Sequence, residues 1–468
     1  SGTAGPGGPV PGVPRPALPC GTALMAPWPP AHPPPLYYAL AWASGWTGLS
    51  LEAHRALNLV FGGLALGAGG LMVREARSAA ARRLGLVLAI VLAGLRAVLV
   101  YGAELRSYFA SLCAVTLLVL ALVLAWLEGA PGGPVRRRVL WGAMLAAFNL
   151  HIATSLIAGC LVAAFLGGAL LRRDRVLLRW MLGPALAAGV VLLAVTAVQA
   201  PLWEANTRAF WIPPGFFAAR WTIQNEVTRM LLANGPALLG AIAGLALATL
   251  AALRERRRAP EVEAALLLGL GCAVGMAVLL AIHLVLRPFV VERYLVGLAG
   301  PLVLAMALGL TALGKRLPRR GECVLYAAVT AASLFALYGH MQATIAKAGW
   351  DGSARAVAAK VAACPDSPVH LDPQWNADVL ALPPADNREV VRFAYRTMAE
   401  RFGFRIEPAA SRRVSATCPT LFWAEHSTRI RPEAAQVLAA ERARGFALPG
   451  LTQEWIGVGW VAEAPPGR

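Results

Sequence analysis

Acidic side chains are scarce in this chain, and aspartate most of all: before Asp351 the only one is Asp174, and the first thirty residues hold neither Asp nor Glu. Charge of either sign is thin at 15% of residues, against about 25% in a soluble globular domain. That shortage excludes a water-solvated surface over most of the length. The chain also lacks a glycine-rich nucleotide loop, the His and Cys spacing of a metal site, and the Gly-x-Ser-x-Gly turn of a serine hydrolase. Apolar residues are abundant instead, at 57%, with a mean hydropathy of +0.58. Such a composition reads as a polytopic membrane protein. The formal charge of +18 does not point to nucleic acid, because the basic residues fall in short clusters between apolar runs.

The head, residues 1–30, is rich in Pro and Gly and reads as disordered, and an incomplete or mis-started N-terminus is expected. From Ala31 to about Gly48 a short apolar stretch carries Tyr37, Tyr38, Trp42 and Trp46. At about 1.5 Å per residue it cannot cross a core of about 30 Å, so it is read as an interfacial helix. Ten spans follow, at about 54–73, 84–101, 108–127, 139–150, 152–171, 181–199, 235–253, 262–286, 294–314 and 323–341. The fourth is short enough that the fourth and fifth are readable as one tilted helix, but basic loops on both sides argue for two. Alternate loops carry nineteen Lys and Arg in one set and six in the other. The richer set is the cytoplasmic one, which places Glu104, residues 200–234, the stretch Arg287 to Tyr294 and the C-terminal tail outside.

The tail, residues 343–468, has 15 basic and 13 acidic residues and no run long enough to span. It reads as a soluble extracytoplasmic α/β domain, with helices at Ser353 to Ala363 and Glu389 to Phe402 and strands at Val369 to Leu371 and Thr420 to Ala424. Of seven cysteines, Cys364 and Cys418 are the two in this tail. An oxidising compartment would let them pair, and closing so long a loop stabilises by about 4 kcal/mol in the chain-entropy account. Two free buried thiols are the plainer alternative.

Any chemistry belongs to the outer face, where three polar clusters converge by topology. These are Glu104 with Arg106 and Tyr108 beside Tyr101, then Phe210 to Pro214 around Trp211, and then Arg287, Glu292, Arg293 and Tyr294. His151 lies at the turn between the fourth and fifth spans. Ionisable groups at such a depth usually have a task, and a guanidinium holds two phosphate oxygens at once. Snorkelling to headgroups is the plainer role for Arg287 and Arg293, and interface anchoring for Trp211.

At these residues the chain resembles a family. His32-Pro33-Pro34-Pro35-Leu36-Tyr37-Tyr38, Glu104-Leu105-Arg106-Ser107-Tyr108, Phe148-Asn149-Leu150-His151, Phe210-Trp211-Ile212-Pro213-Pro214 and Arg293-Tyr294-Leu295 occur in the order seen in bacterial membrane glycosyltransferases of the C superfold, GT-C. That group is similar to the protein O-mannosyltransferases and the lipid A aminoarabinose transferases. The resemblance covers about residues 30–360 and implies an all-α polytopic fold with the glycosyltransferase domain at 31–342. It implies a polyprenyl-phosphate-linked sugar donor in the plasma membrane, an extracytoplasmic acceptor in the cell envelope, and no nucleic acid. No cofactor is required with certainty, and a divalent metal is left open. Inverting transfer would use a carboxylate as base and cations at the leaving phosphate. Arg293 is the first such cation, with Arg287, Arg106 and His32 behind it, and Trp211 covers the sugar. Glu104 fits an orienting role better than that of base.

The family's base is an Asp in the first outer loop, after a first transmembrane helix, and this sequence shows neither. The expectation is a chain without its first span, or one not catalytically competent as written. The remaining outer acids are Glu104, Glu204, Glu226 and Glu292. The rival reading is a transporter or flippase for a lipid-linked sugar. It expects polar residues on broken helices near the midplane and internal repeats, whereas here the charges lie at one face.

Overall fold

The computed structural model describes residues 51–103, 107–206, 212, 215–286, 288–347, 352–371, 395–396, 398–408, 410–424, 433–456 and 459–467. They fall into two compact units, drawn from residues 1–206 with 212–340, and from 207–211 with 341–468.

The first unit is a helical bundle. Its helices are α1 (Leu51–Glu75), α2 (Ala79–Ala93), α3 (Arg96–Ala103), α4 (Tyr108–Glu128), α5 (Pro134–Asn149), α6 (Ile152–Leu171), α7 (Arg175–Asn206), α8 (Phe216–Leu232), α9 (Gly235–Glu255), α10 (Pro260–Val285), α11 (Ala299–Gly314) and α12 (Arg319–Lys347). A 3-10 segment, Glu292–Leu298, leads into α11. Among the described residues eight helices are long and apolar enough to cross a membrane, and α2 with α3 makes a ninth if the bent pair is one crossing. Helix α5, at 16 residues, is about 24 Å long and short of a full core. It is a helix separate from α6, because Leu150 and His151 break the path and His151 is extended at φ −160°. Ser155 Oγ secures that turn by donating to the carbonyls of Phe148 (2.7 Å) and His151 (3.0 Å).

The stretch read as one span at 84–101 is not one straight helix: it bends by 67° between α2 and α3. Gly94 ends α2 and presses on α12, where an added Cβ would lie 3.0 Å from Ser333 Cα. The close approach turns the chain, and α3 leaves at a new angle carrying Arg96 and Tyr101.

Two segments form the centre. Buried residues make up 78% of the apolar window in α4 and 89% of that in the 3-10 segment with α11, against 11–44% for the other crossings. Helix α9 meets α11 backbone to backbone: a Cβ on Gly244 would overlap the carbonyl of Gly309, and one on Gly309 would overlap the carbonyl of Ala241. Small residues permit this approach, which supplies packing where apolar lipid gives no hydrophobic drive.

Ion pairs tie the helix ends at the basic end of the bundle. Arg83 meets Glu322 at 2.6 Å, Arg172 meets Glu263, and Lys315 meets Glu261. The Arg136 and Glu128 side chains pair at 2.9 Å with 0% and 6% exposure. Glu75 accepts from the N–H groups of Val135 and Arg136 at 3.3 and 3.0 Å. A carboxylate at a helix N-terminus is favoured by the free N–H groups there, so α1, α4 and α5 are joined at one node.

The second unit contains α13 (Gly352–Ala363), α14 (Ala434–Ala443) and a sheet of β1 (Val369–Leu371), β2 (Thr420–Ala424), β3 (Thr452–Ile456) and β4 (Gly459–Ala464) in the order β1-β2-β4-β3. Strand β1 is parallel to β2, and the other pairs are antiparallel. Alternation on β2 sends Leu421 and Trp423 into a core with α13, and Phe422 and Ala424 into one with Val437 of α14. The helix read at Glu389 to Phe402 is described only at 395–396 and 398–402, of which 395–396 and 398–401 are helical and Phe402 is a turn. The interfacial stretch Ala31 to Gly48 lies outside the described residues.

Gly244→Val should strip the α9–α11 contact, while Gly269→Val, with nothing within 4 Å of its Cβ, should be neutral. Overpacking of this kind costs about 1–3 kcal/mol or more. Thermal unfolding in detergent should show a clear loss for the first variant only; equal melting of both would contradict this packing.

Candidate functional site

At the end of the bundle opposite the ion pairs, helix termini bring aromatic and polar side chains together. Tyr108 begins α4 and is 2% exposed. Its ring meets Tyr101 of α3 at 5.5 Å, His151 at 5.2 Å and Tyr294 at 6.4 Å. His151 and Tyr294 lie 4.7 Å apart, and Phe289 closes on Tyr294 at 5.3 Å. Three segments distant in sequence thus supply one cluster, and Arg293 adjoins it in the 3-10 segment.

The loop bearing Arg293 is held by a residue that sequence reasoning missed. His283, near the end of α10 and 3% exposed, accepts at Nδ1 from the N–H groups of Phe289 (3.0 Å) and Val290 (3.1 Å). An accepting Nδ1 places the ring proton of the neutral imidazole on Nε2. Asn58 of α1 acts similarly, donating to the carbonyls of Tyr101 (3.3 Å) and Gly102 (3.2 Å) at the end of α3. Asn234 caps α9 by accepting from the Ala237 N–H at 3.0 Å, and it donates to Val329 O at 3.0 Å and Ser333 Oγ at 2.7 Å on α12.

Between these anchors lies a cavity of about 380 Å³ lined by Arg96, Tyr101, Glu226, Arg229, Glu292 and His340 together with apolar residues. Arg229 Nη1 donates to Glu226 Oε1 at 2.6 Å and to Glu292 Oε1 at 3.3 Å. Burial raises the Glu226 carboxyl above its ordinary value; the Arg229 hydrogen bond pulls it down, the Glu292 charge raises it, and Arg96 lowers it. An apolar groove of about 520 Å³ runs among α1, α2 and α4, lined by Gly62, Gly69, Gly85, Phe109, Leu112 and Leu117 among others. It reaches Val98 of α3, while Arg96 and Ala97 of the same helix line the polar cavity.

Of the residues selected from sequence, the structure brings Tyr108, His151 and Tyr294 together with Arg293 beside them. His32, Glu104, Arg106, Trp211 and Arg287 lie outside the described residues. Cys364 and Cys418 are joined in the second unit, with Cα atoms 5.8 Å apart. Arg96, His340 and His283 were not selected. Arg96 was the detectable one, since an arginine inside an apolar run is a functional signal by itself. Among the described residues no three His, Cys, Asp or Glu side chains group as metal ligands.

No protein-family profile and no curated protein matches the chain. Among solved structures it is similar to the crystal structure of ArnT from Cupriavidus metallidurans in the apo state, with 14% identity, 92% of this chain and 87% of that chain covered, and a TM-score of 0.51. The fold is GT-C. A GT-C fold at this identity leaves the chemistry to be argued from the site itself.

His283→Leu removes the acceptor of two buried N–H groups, each costing about 1–3 kcal/mol when left unpaired. Deuterium uptake should rise over residues 288–298, and His283→Asn, which keeps an acceptor, should rise less. Unchanged uptake in the leucine variant would contradict this anchoring.

Proposed function

We propose that this protein is a membrane glycosyltransferase that moves a sugar from a polyprenyl-phosphate donor to an extracytoplasmic acceptor. The observation that carries the reading is the adjacency of the apolar groove and the cation-bearing cavity along α3. An isoprenoid chain needs a dry surface at membrane depth, and its phosphate needs guanidinium groups at the water boundary. A GT-C fold over nearly the whole chain agrees with that use. The excess of Lys and Arg at the opposite end supports a reading in which the cavity opens outside the cytoplasm of a plasma-membrane protein.

In this reading the chain of the donor lies against α1, α2 and α4, and its phosphate faces Arg96 and Arg293. Negative charge grows on that phosphate as the glycosidic bond breaks, so fixed cations there favour the transition state. Tyr108, His151 and Tyr294 form the wall that orients Arg293. Glu104, Arg106, His32, Trp211 and Arg287 remain candidates for the same face from their sequence positions.

The test is release of polyprenyl phosphate from polyprenyl-phosphate-linked pentoses and hexoses by the chain in nanodiscs, with an extract of cell-envelope glycans and lipids as acceptor. Arg293→Ala should abolish release, since a charge-assisted phosphate contact in a partly dry site is worth about 2–4 kcal/mol. Arg293→Lys should recover part, keeping charge without the fork. An alanine variant that folds and transfers at the parent rate would make Arg293 a headgroup anchor.

A further inference from the structure

Helix α8 joins two crossings without being one itself. Arg172, just before α7, pairs with Glu263 in the first turn of α10, so the start of α7 and the end of α9 lie at the same end of the bundle. Helices α7 and α9 are both long and apolar enough to cross a membrane, which puts the end of α7, all of α8 and the start of α9 at the other end. With 17 residues, α8 is about 25 Å long, and it carries Arg220, Glu226 and Arg229 along that length. It lies along the membrane face that holds the polar cavity.

The two sides of α8 differ. Ala219 and Met230 are buried against the bundle, and Glu226, Arg229 and Met230 line the cavity. On the side turned away, positions 217, 221, 224, 228 and 232 recur at helical spacing and are all exposed. The first part of that side is aromatic: Phe217 is 79% and Trp221 65% exposed, and Phe216 meets Phe217 edge-on at 5.7 Å. Arg220 is exposed among these rings. A contiguous patch of large apolar side chains marks a surface that something covers.

The patch continues an apolar surface at the end of a crossing. Helix α10 has 26 residues, spans about 39 Å and overruns a hydrocarbon core of about 30 Å. Val285 at its end is 80% exposed, and Leu286 just beyond is 75% exposed. Gly215, which precedes α8, turns its backbone toward the ring of His283 in that same turn of α10. The aromatic start of α8 therefore stands beside the rim of a lipid-facing helix.

We propose that the first two turns of α8 are seated in the phospholipid headgroup layer at the cavity end of the bundle. Phenyl and indole rings favour that layer, where one part of the ring meets acyl chains and another meets polar groups. An arginine among them reaches the lipid phosphates while its stem stays on apolar surface. The bilayer then holds one wall of the cavity, because lipid on one side of α8 sets the height of Glu226 and Arg229 on the other. Continuity with Val285 and Leu286 favours lipid over a second copy of the chain.

The experiment places a benzophenone side chain at Phe217 or Trp221 of the full chain, in nanodiscs of equal parts phosphatidylcholine and phosphatidylglycerol, and identifies the photo-adducts by mass spectrometry. Both positions should give phospholipid adducts. Trp221 fluorescence, read as the difference between the parent and Trp221→Phe, should be quenched by brominated phospholipid and shielded from aqueous iodide. Adducts to protein alone would mean that a second copy or another segment covers the patch, and a Trp221 quenched by iodide but not by bromolipid would mean that it faces water; either result overturns the assignment. Phe217→Ser with Trp221→Ser should raise deuterium uptake over residues 216–232, whereas unchanged uptake would leave α8 held by the bundle alone and overturn the bilayer's part in the cavity wall. None of these measurements reads sugar transfer, so their outcome is separate from that of the donor reading.

Discussion

An unpaired charge at apolar depth costs more than any single contact in a bundle returns, and the placement of polar groups in this protein follows from that cost. At the basic end the charges that leave water do so in pairs: Arg136 is wholly buried and meets Glu128, while Glu75 sits on the first N–H groups of α5. Removing one member of such a buried pair typically costs about 3–5 kcal/mol, so these contacts hold α1, α4 and α5 in register. At the other end the same cost is met differently, by a cavity in which Arg229 bridges two glutamates and Arg96 stands across from them.

That cavity depends on helices that stop early. Helix α2 ends where Gly94 touches Ser333, α3 turns away by 67°, and the chain after α10 runs as a loop and a 3-10 segment before α11. Each interruption exposes backbone groups that apolar surroundings would not tolerate. Side chains take up part of that demand: Asn58 bonds the end of α3, His283 the loop before Arg293, and Asn234 the start of α9. The residues that make the site possible are therefore polar side chains facing backbone, and only some of the site residues face the cavity.

Most of the spans were legible because hydropathy over about twenty residues is a strong signal, and the strands Val369–Leu371 and Thr420–Ala424 because they are short, largely apolar and preceded by turn residues. The break at Gly94 was not, since its cause is a contact with Ser333 on a distant helix. Strands β3 and β4 and helix α14 were missed; β3 alternates weakly, and α14 is rich in alanine with a narrow apolar face. For the site, Tyr108, His151 and Tyr294 were readable as polar or aromatic residues at span ends. His283 was hidden because a lone histidine in an apolar run looks like core until its two backbone donors are seen. Arg96 lay inside an assigned span, where its charge should have drawn notice.

The central claim is that a lipid-linked sugar binds with its chain among α1, α2 and α4 and its phosphate at the end of the bundle that holds Arg96, Arg229 and Arg293. A cryo-electron microscopy structure of the chain in nanodiscs with a polyprenyl-phosphate-linked sugar tests it most directly. The account predicts density for phosphate within hydrogen-bond distance of Arg96 or Arg293, continuous with an isoprenoid chain passing Phe109 and Leu117. A headgroup seated at the basic end, or a chain on another face of the bundle, would contradict it.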